Sequence, residues 1–221
     1  AAALAAEAAL RNGVGLVTVG IPQSLNDILE VKLTEAMTIP LPETADRSLS
    51  IEALGTILEK KDRFDAVVIG PGLGRHQSTG QLLDALLEQV SCPVVLDADG
   101  LNLAAELELL EKRSGESCPL IITPHPGEMA RLLGCSIAEV QADRLAAARQ
   151  AAEAFSCTAV LKGAGTVAAA AHGGFWVNTT GNVGMATGGT GDVLSGIIGG
   201  LLAAGVEPAA AAAAGVYVHG L

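Results

Sequence analysis

The stretch AVVIGPGLGRHQSTGQLLDALLEQVSCPVVLDADGLN, residues 66–102, decides the fold. It opens with an apolar run, Ala66–Ile69, breaks at glycines, continues as a helical pattern from Ser78 to Val90, and returns to an apolar run at Val94–Leu96. Both runs are continuous rather than alternating, which is the pattern of strands covered on both faces. Strand, helix and strand in that order predict a parallel βαβ unit.

Working outward, further strand-length runs lie at Leu16–Val19, Leu120–Ile122 and Ala159–Leu161, with Ala36–Ile39 a weaker candidate. Helical patterns fill Ala1–Asn12, Ser48–Lys60, Asn102–Arg113, Ile137–Phe155 and Asp192–Ala204. After Leu161 the segments Thr166–Ala170 and Gly174–Val177 flank a His172-Gly173 turn and read as a hairpin, so antiparallel strands end the sheet. No repeat, Pro-rich linker or charged tail divides the chain, and a single α/β domain with a mostly parallel central sheet is expected over residues 1–221. The chain opens in an Ala-rich helical pattern with no Ser, Thr, Asp or Asn cap before it, and stops at Leu221 inside another apolar helical run. The expectation is a domain lacking its first strand, in front of Ala1, and the end of its C-terminal helix.

The 221 residues suffice for one sizeable core. Half are hydrophobic and only 17% charged, which excludes disorder of the highly charged kind. Aromatics make up 2% against 27 glycines, so Ala, Val, Leu and Ile build the core and base-stacking platforms are not expected. A formal net charge of -11 repels a phosphate backbone and argues against nucleic acid as a partner. Cys92, Cys118, Cys135 and Cys157 form no C-x-x-C pair and read as reduced core thiols of a cytoplasmic protein. The apolar run Val193–Val206 falls well short of the roughly 20 residues a membrane helix needs, and no signal or membrane segment is expected.

Ligands of open parallel sheets bind beyond the carboxyl ends of the strands. Five loops sit there: GPGLG after Ile69, DADGLN after Leu96, TPHPGE after Ile122, KGAGT after Leu161, and the glycine-rich segment from Val177 to Asp192. NTTGNVGMATGGTGD, Asn178–Asp192, is uncharged until its last residue and runs into the apolar helix carrying Val193, Leu194, Ile197, Ile198, Leu201 and Leu202. A helix whose first turn is Gly189-Thr190-Gly191-Asp192 aims free N–H groups at the loop and makes an anion hole suited to phosphate. Asp192 is either an N-cap or a base beside that hole.

The other loops carry two readings each. GPGLG lacks the G-x-G-x-x-G spacing and is either a tight turn or a ligand loop. DADGLN serves Mg²⁺ through water or a polar substrate, or caps the next helix through Asp99 or Asn102. In Thr123-Pro124-His125-Pro126-Gly127-Glu128 the His is a surface residue or a site residue, and Glu128 falls in the first turn of a helix. Lys162-Gly163-Ala164-Gly165-Thr166 suits the sugar and phosphates of a nucleotide, or is an ordinary turn. His76, His172 and His219 show no metal-ligand spacing and receive no role.

Together GPGLG, VLDADGLN, TPHPGE, VLKGAGT and GNVGMATGGTGDVLSGIIGGLLAAG, in this order from Gly70 to Gly205, resemble the ADP-dependent NAD(P)H-hydrate dehydratases of the ribokinase-like superfamily, the C-terminal-type domain of the bifunctional NAD(P)H-hydrate repair enzymes. AALRNGVGLVTVG, Ala8–Gly20, extends the likeness. The resemblance implies a three-layer sandwich and a repair reaction in which hydrated NADH or NADPH is dehydrated with ADP, or ATP, consumed. It implies Asp192 as the base, Gly189, Thr190 and Gly191 as the anion hole, and Lys162, Gly163, Ala164, Gly165, Thr166 and Gly191 around the nucleotide. Gly72, Gly74, His125 and Asp192 would face the hydrate. Mg²⁺ would accompany the phosphates near Asp97 and Glu128 without direct protein ligation. The family also implies a homo-oligomer, a tetramer, and an NAD(P)H-hydrate epimerase domain or protein as partner. His125-x-x-Glu128 replaces the N-x-x-E element common in kinases of the superfamily, and favours the dehydratase. The alternatives are a hydroxymethylpyrimidine- or hydroxyethylthiazole-type kinase of the same superfamily, and a nucleotide-binding regulatory protein without turnover.

Overall fold

The computed structural model describes residues 1–113 and 118–221. In chain order the elements are α1 (Ala2–Arg11), β1 (Thr18–Pro22), α2 (Asn26–Lys32), β2 (Met37–Leu41), α3 (Ala53–Leu58), β3 (Val67–Ile69), α4 (Gln77–Gln89), β4 (Val94–Leu96), α5 (Ala98–Leu107), α6 (Leu109–Lys112), β5 (Leu120–Ile122), α7 (Pro126–Leu132), α8 (Ile137–Ala142), α9 (Arg144–Ala154), β6 (Thr158–Leu161), β7 (Val167–Ala170), β8 (Phe175–Val177), α10 (Thr190–Ala203) and α11 (Pro208–His219). The six-stranded sheet runs β3-β4-β5-β6-β7-β8. Its first four strands are parallel, and β7 and β8 continue it antiparallel. β1 and β2 form a separate parallel pair.

Because side chains alternate across a strand, each apolar run feeds two cores. Val94, Leu96, Ile122 and Leu161 face one way, with Leu82 and Leu83 of α4, Leu101 of α5, Met129 of α7 and Ala148 of α9. Val95, Ile121, Val160 and Ala168 face the other way, onto Leu194, Ile198 and Leu202 of α10 and Ala211, Ala212 and Val216 of α11. The result is three layers, with every central strand covered on both faces. At roughly 1.5–3 kcal/mol for each fully buried Val, Leu or Ile, these two contacts dominate the stability. A third, smaller cluster joins Ala3 and Ala6 of α1 to Val19 of β1 and to Leu33.

Elements that sequence periodicity read as single helices are interrupted by side-chain hydrogen bonds or by a left-handed residue. The pattern Ile137–Phe155 breaks at Asp143, whose Oδ1 accepts the Ala146 amide at 2.9 Å and starts α9. The helix expected over Asn102–Arg113 begins earlier, capped by Asp97 rather than by Asp99 or Asn102, and is split by Glu108 in the left-handed region. Ser48–Lys60 is helical only from Ala53, because Ser48 is buried against Thr44 and Thr79 by hydroxyl contacts of 2.8 and 2.9 Å. Such local bonds compete with helix. α2 has no counterpart among the expected elements. All four cysteines are free, and burial pushes the Cys157 thiol up to about 12. Among the described residues no helix is long and apolar enough to cross a membrane.

Two glycines permit close backbone approach, one between strand-end loops and one between α1 and α10. Gly70 has φ +125°, and a Cβ there would overlap the Asp97 carbonyl, so the GPGLG loop lies directly on the loop after β4. Gly196 of α10 lies against Ala5 of α1, and a Cβ there would overlap the Ala5 carbonyl oxygen. That neighbour is backbone and has nowhere to go, so Gly196→Ala is expected to lower stability by about 3 kcal/mol, the upper end of overpacking. Urea unfolding should show the midpoint falling at constant m. A loss below about 1 kcal/mol would mean that α1 is not seated this tightly.

Candidate active site

The glycine-rich segment ends as the first turn of α10, with Gly189 as N-cap at φ +93°. No described side chain caps this helix, and the first intrahelical bond is Val193 N–H to the Gly189 carbonyl at 3.1 Å. The amides of Thr190, Gly191 and Asp192 therefore point outward without an acceptor among the described residues, at the positive end of a 14-residue dipole. Thr190 closes the turn by donating its hydroxyl to the Thr187 carbonyl at 3.0 Å. Asp192 sits on the same turn, partly buried, and burial pushes its carboxyl above the usual range. Ala1, at the start of α1, lies between Asp192 and Gly72: its nitrogen is 3.8 Å from Asp192 Oδ2, and a Cβ on Gly72 would approach its side chain at 3.1 Å.

Behind this turn lies a buried charge cluster drawn from three strand ends. Asp97, 1% exposed, follows β4; Glu128, 5% exposed, follows β5; Lys162 follows β6. Lys162 Nζ donates to Asp97 Oδ1 at 2.6 Å and lies 4.0 Å from Glu128 Oε2. Asp97 Oδ1 also accepts the Ala98 amide at 2.8 Å, and Oδ2 accepts the Ser195 hydroxyl at 2.6 Å. A Cβ on Gly191 would come within 3.3 Å of Lys162 Nζ, so the ammonium lies beside Gly191 on the turn that carries the unpaired amides. The backbone bond from Lys162 N–H to the Pro124 carbonyl, 2.9 Å, holds the lysine loop against the TPHPGE loop.

His125 and Glu128 form a capping box on α7: His125 Nδ1 accepts the Gly127 and Glu128 amides, while Glu128 Oε2 accepts the His125 amide at 2.8 Å. The imidazole itself is exposed at the rim. Gly74 lies off the lysine cluster, with its amide on Asp99 Oδ2 at 3.0 Å and Ser48 beside it. The KGAGT loop closes on itself, Thr166 Oγ1 accepting from Gly163 N–H at 3.2 Å, and leaves Gly163, Ala164 and Gly165 exposed. Next to it a groove of about 180 Å³ is lined by Thr166, Trp176, Asn178, Ala213 and Tyr217. Among the described residues no group of three or more His, Cys, Asp or Glu is arranged to hold a metal ion.

Three neighbours of the site escaped the sequence reading. Ser195 is a hydroxyl on the buried stripe of α10, a polar break in an apolar face that could have signalled a buried partner. Arg144 lies behind Gly163 and donates to the Leu161 carbonyl at 3.0 Å. His219, at the end of α11, is pushed down by burial against an opposing pull from the Thr190 backbone; its spacing carried no sign of this.

Residues 1–221 match the family described as NAD(P)H-hydrate dehydratase. Over 218 residues the chain is 50% identical to the bifunctional NAD(P)H-hydrate repair enzyme of Moorella thermoacetica, covering 98% of this chain and 41% of that protein. Over 219 residues it is 42% identical to the ADP-dependent (S)-NAD(P)H-hydrate dehydratase of Neisseria meningitidis, covering 98% of this chain and 69% of that one. The ADP/ATP-dependent NAD(P)H-hydrate dehydratase of Bacillus subtilis, co-crystallised with ATP and Mg²⁺ and soaked with CoA, has the same fold at a TM-score of 0.79 and 33% identity, covering 99% of this chain and 75% of that chain. The chain thus spans about two fifths of the length of the bifunctional relative.

Burial pushes the Glu128 carboxyl up, against the opposing pull of Lys162 and the His125 amide. A carboxyl whose folded-state value exceeds its unfolded value weakens the fold when ionised, and that cost fades as pH falls through the folded-state value. Glu128→Gln keeps an acceptor for the His125 amide and is expected to be more stable than the parent at pH 7. The advantage should shrink toward the unfolded value near about 4.3. Urea unfolding across that range checks it, and a difference that grows on acidification would contradict it.

Proposed function

The chain belongs to the NAD(P)H-hydrate dehydratase family, and from that membership we propose that it dehydrates (S)-NADH or (S)-NADPH hydrate to NAD(P)H, with ADP as phosphoryl donor and AMP and phosphate as products. One observation carries the reading: the first turn of α10 bears unpaired amides and the Asp192 carboxylate, and the Lys162 ammonium from the end of β6 reaches the same turn at Gly191.

Hydroxide is a poor leaving group, and phosphorylation cures that. Asp192 takes the proton of the ring hydroxyl as its oxygen attacks the terminal phosphorus of ADP, and the bond to the departing AMP breaks. The amides of Thr190, Gly191 and Asp192 stabilise the charge on the transferring phosphoryl. The carbon–oxygen bond of the new phosphate ester then breaks with electron donation from the adjacent ring nitrogen. Loss of a proton from the neighbouring carbon restores the double bond and leaves NAD(P)H and phosphate.

In this reading the Lys162–Thr166 loop and Gly191 hold the nucleotide, and the groove at Trp176 and Tyr217 receives its adenine. Gly72, Gly74 and His125 border the hydrated ring. Asp97 and Glu128 face Lys162 and form no protein cage for a cation. Mg²⁺ fits here as a companion of the nucleotide phosphates, and no step runs through it. The bifunctional relative's extra length supports an NAD(P)H-hydrate epimerase, fused or separate, as functional partner, and the Ala- and Gly-rich helices support close packing into a homo-oligomer.

Mixing the protein with hydrated NADH, Mg²⁺ and ADP should restore near-ultraviolet NADH absorbance with one phosphate released per NADH; a stable phosphorylated alcohol would instead identify a kinase. Asp192→Asn should cost 10²- to 10⁴-fold in turnover, on the order of general-base catalysis, while ADP affinity is retained. Undiminished turnover would remove Asp192 from the role of base. Lys162→Ala should weaken ADP binding by about tenfold or more, the scale of one charge-assisted hydrogen bond; unchanged affinity in calorimetry would place the nucleotide elsewhere.

A further inference from the structure

Ser195 is 0% exposed, on a helix whose other inward residues are hydrocarbon, including Leu194, Ile197 and Ile198. A hydroxyl buried there is tolerated only if it is bonded. Its one proton goes to Asp97 Oδ2, the nearer acceptor at 2.6 Å, and its oxygen also lies 3.1 Å from the Gly191 carbonyl; both neighbours belong to the site. Asp97 in turn holds Lys162 through its other oxygen at 2.6 Å. A continuous path of contacts therefore runs from the first turn of α10, through Ser195 and Asp97, to the ammonium of Lys162.

Resting on the phosphoryl-transfer reading above, we propose that Ser195 is a positioning residue: its hydroxyl fixes the Asp97 carboxylate so that Lys162 is held beside the unpaired amides of α10, and cation and amides act on one phosphoryl group. The geometry explains why a hydroxyl is needed. Without it, Asp97 Oδ2 is left buried with no donor, and the carboxylate regains one only by turning both oxygens toward Lys162. That rotation draws the ammonium away from Gly191 and toward β4. Ser195 touches no substrate atom and acts only through Asp97 and Lys162.

The test is a double-mutant cycle read by ADP calorimetry on the full chain, since pairs linked in one network are non-additive whereas independent structural effects add. Ser195→Ala should weaken ADP binding about tenfold. In a Lys162→Met background the same change should cost less than twofold, because the path ends at the missing ammonium. Equal losses in both backgrounds would overturn the inference. Where the lysine variant fails to fold, the isosteric pair decides: Ser195→Thr keeps the hydroxyl and should bind ADP like the parent, while Ser195→Val should lose about tenfold, and equal affinities for the pair would again overturn it. A parent chain that binds no ADP would defeat the phosphoryl-transfer reading and this inference together. A parent that binds ADP but gives additive losses would defeat this inference alone.

Discussion

The Asp97–Lys162 ion pair is the constraint around which the site is arranged. A carboxylate with 1% exposure has given up its hydration, a cost of several kcal/mol that an attraction to one cation need not repay. It is repaid here by donors from three directions: the lysine after β6, the Ala98 amide at the head of α5, and the Ser195 hydroxyl from α10. Each comes from a different part of the fold, and so satisfying one buried charge fixes the relative positions of β4, β6 and α10. The opposite layer contributes as well, because Glu128 reaches Lys162 from the cap of α7.

Glycine makes this convergence sterically possible. The loops after β3 and β4 touch backbone to backbone at Gly70, which leaves the chain free to turn into α5 with Asp97 as its cap. Gly191 leaves space where a side chain would crowd the Lys162 ammonium. Gly196 lets α1 lie on α10, which brings the start of α1 between Gly72 and Asp192. At these three glycines a side chain would meet backbone or the Lys162 ammonium.

Much of the architecture was legible because it depends on local pattern. β3 to β6 were marked by continuous Val, Ile and Leu runs, the hairpin of β7 and β8 by its turn, and α10 by its buried stripe. The misread boundaries are those where one side chain outweighs periodicity, as Asp143 and Ser48 do. α2 was missed because its apolar residues Ile28 and Val31 face solvent, so no amphipathic stripe announces it. The loops of the site could be named from sequence, since strand ends and glycines mark them. Their wiring could not: Ser195 and Asp97 are 98 positions apart and Lys162 and Asp97 are 65 apart, and no spacing rule connects residues that meet only after the sheet has formed.

The proposed reaction gives two aspartates of one site opposite tasks. Asp97 is surrounded by three donors and faces inward, so it serves as a fixed negative charge that orients a cation. Asp192 stands on the rim of the same turn, accepts no hydrogen bond from the described residues, and is pushed up by burial. A carboxyl without donors and with a raised proton affinity is the one suited to receive a proton, because nothing must be broken for it to do so. The division follows from where each sits relative to α10. One lies where the hydroxyl of Ser195 can reach it, and the other lies on the helix itself, on the turn that carries the unpaired amides.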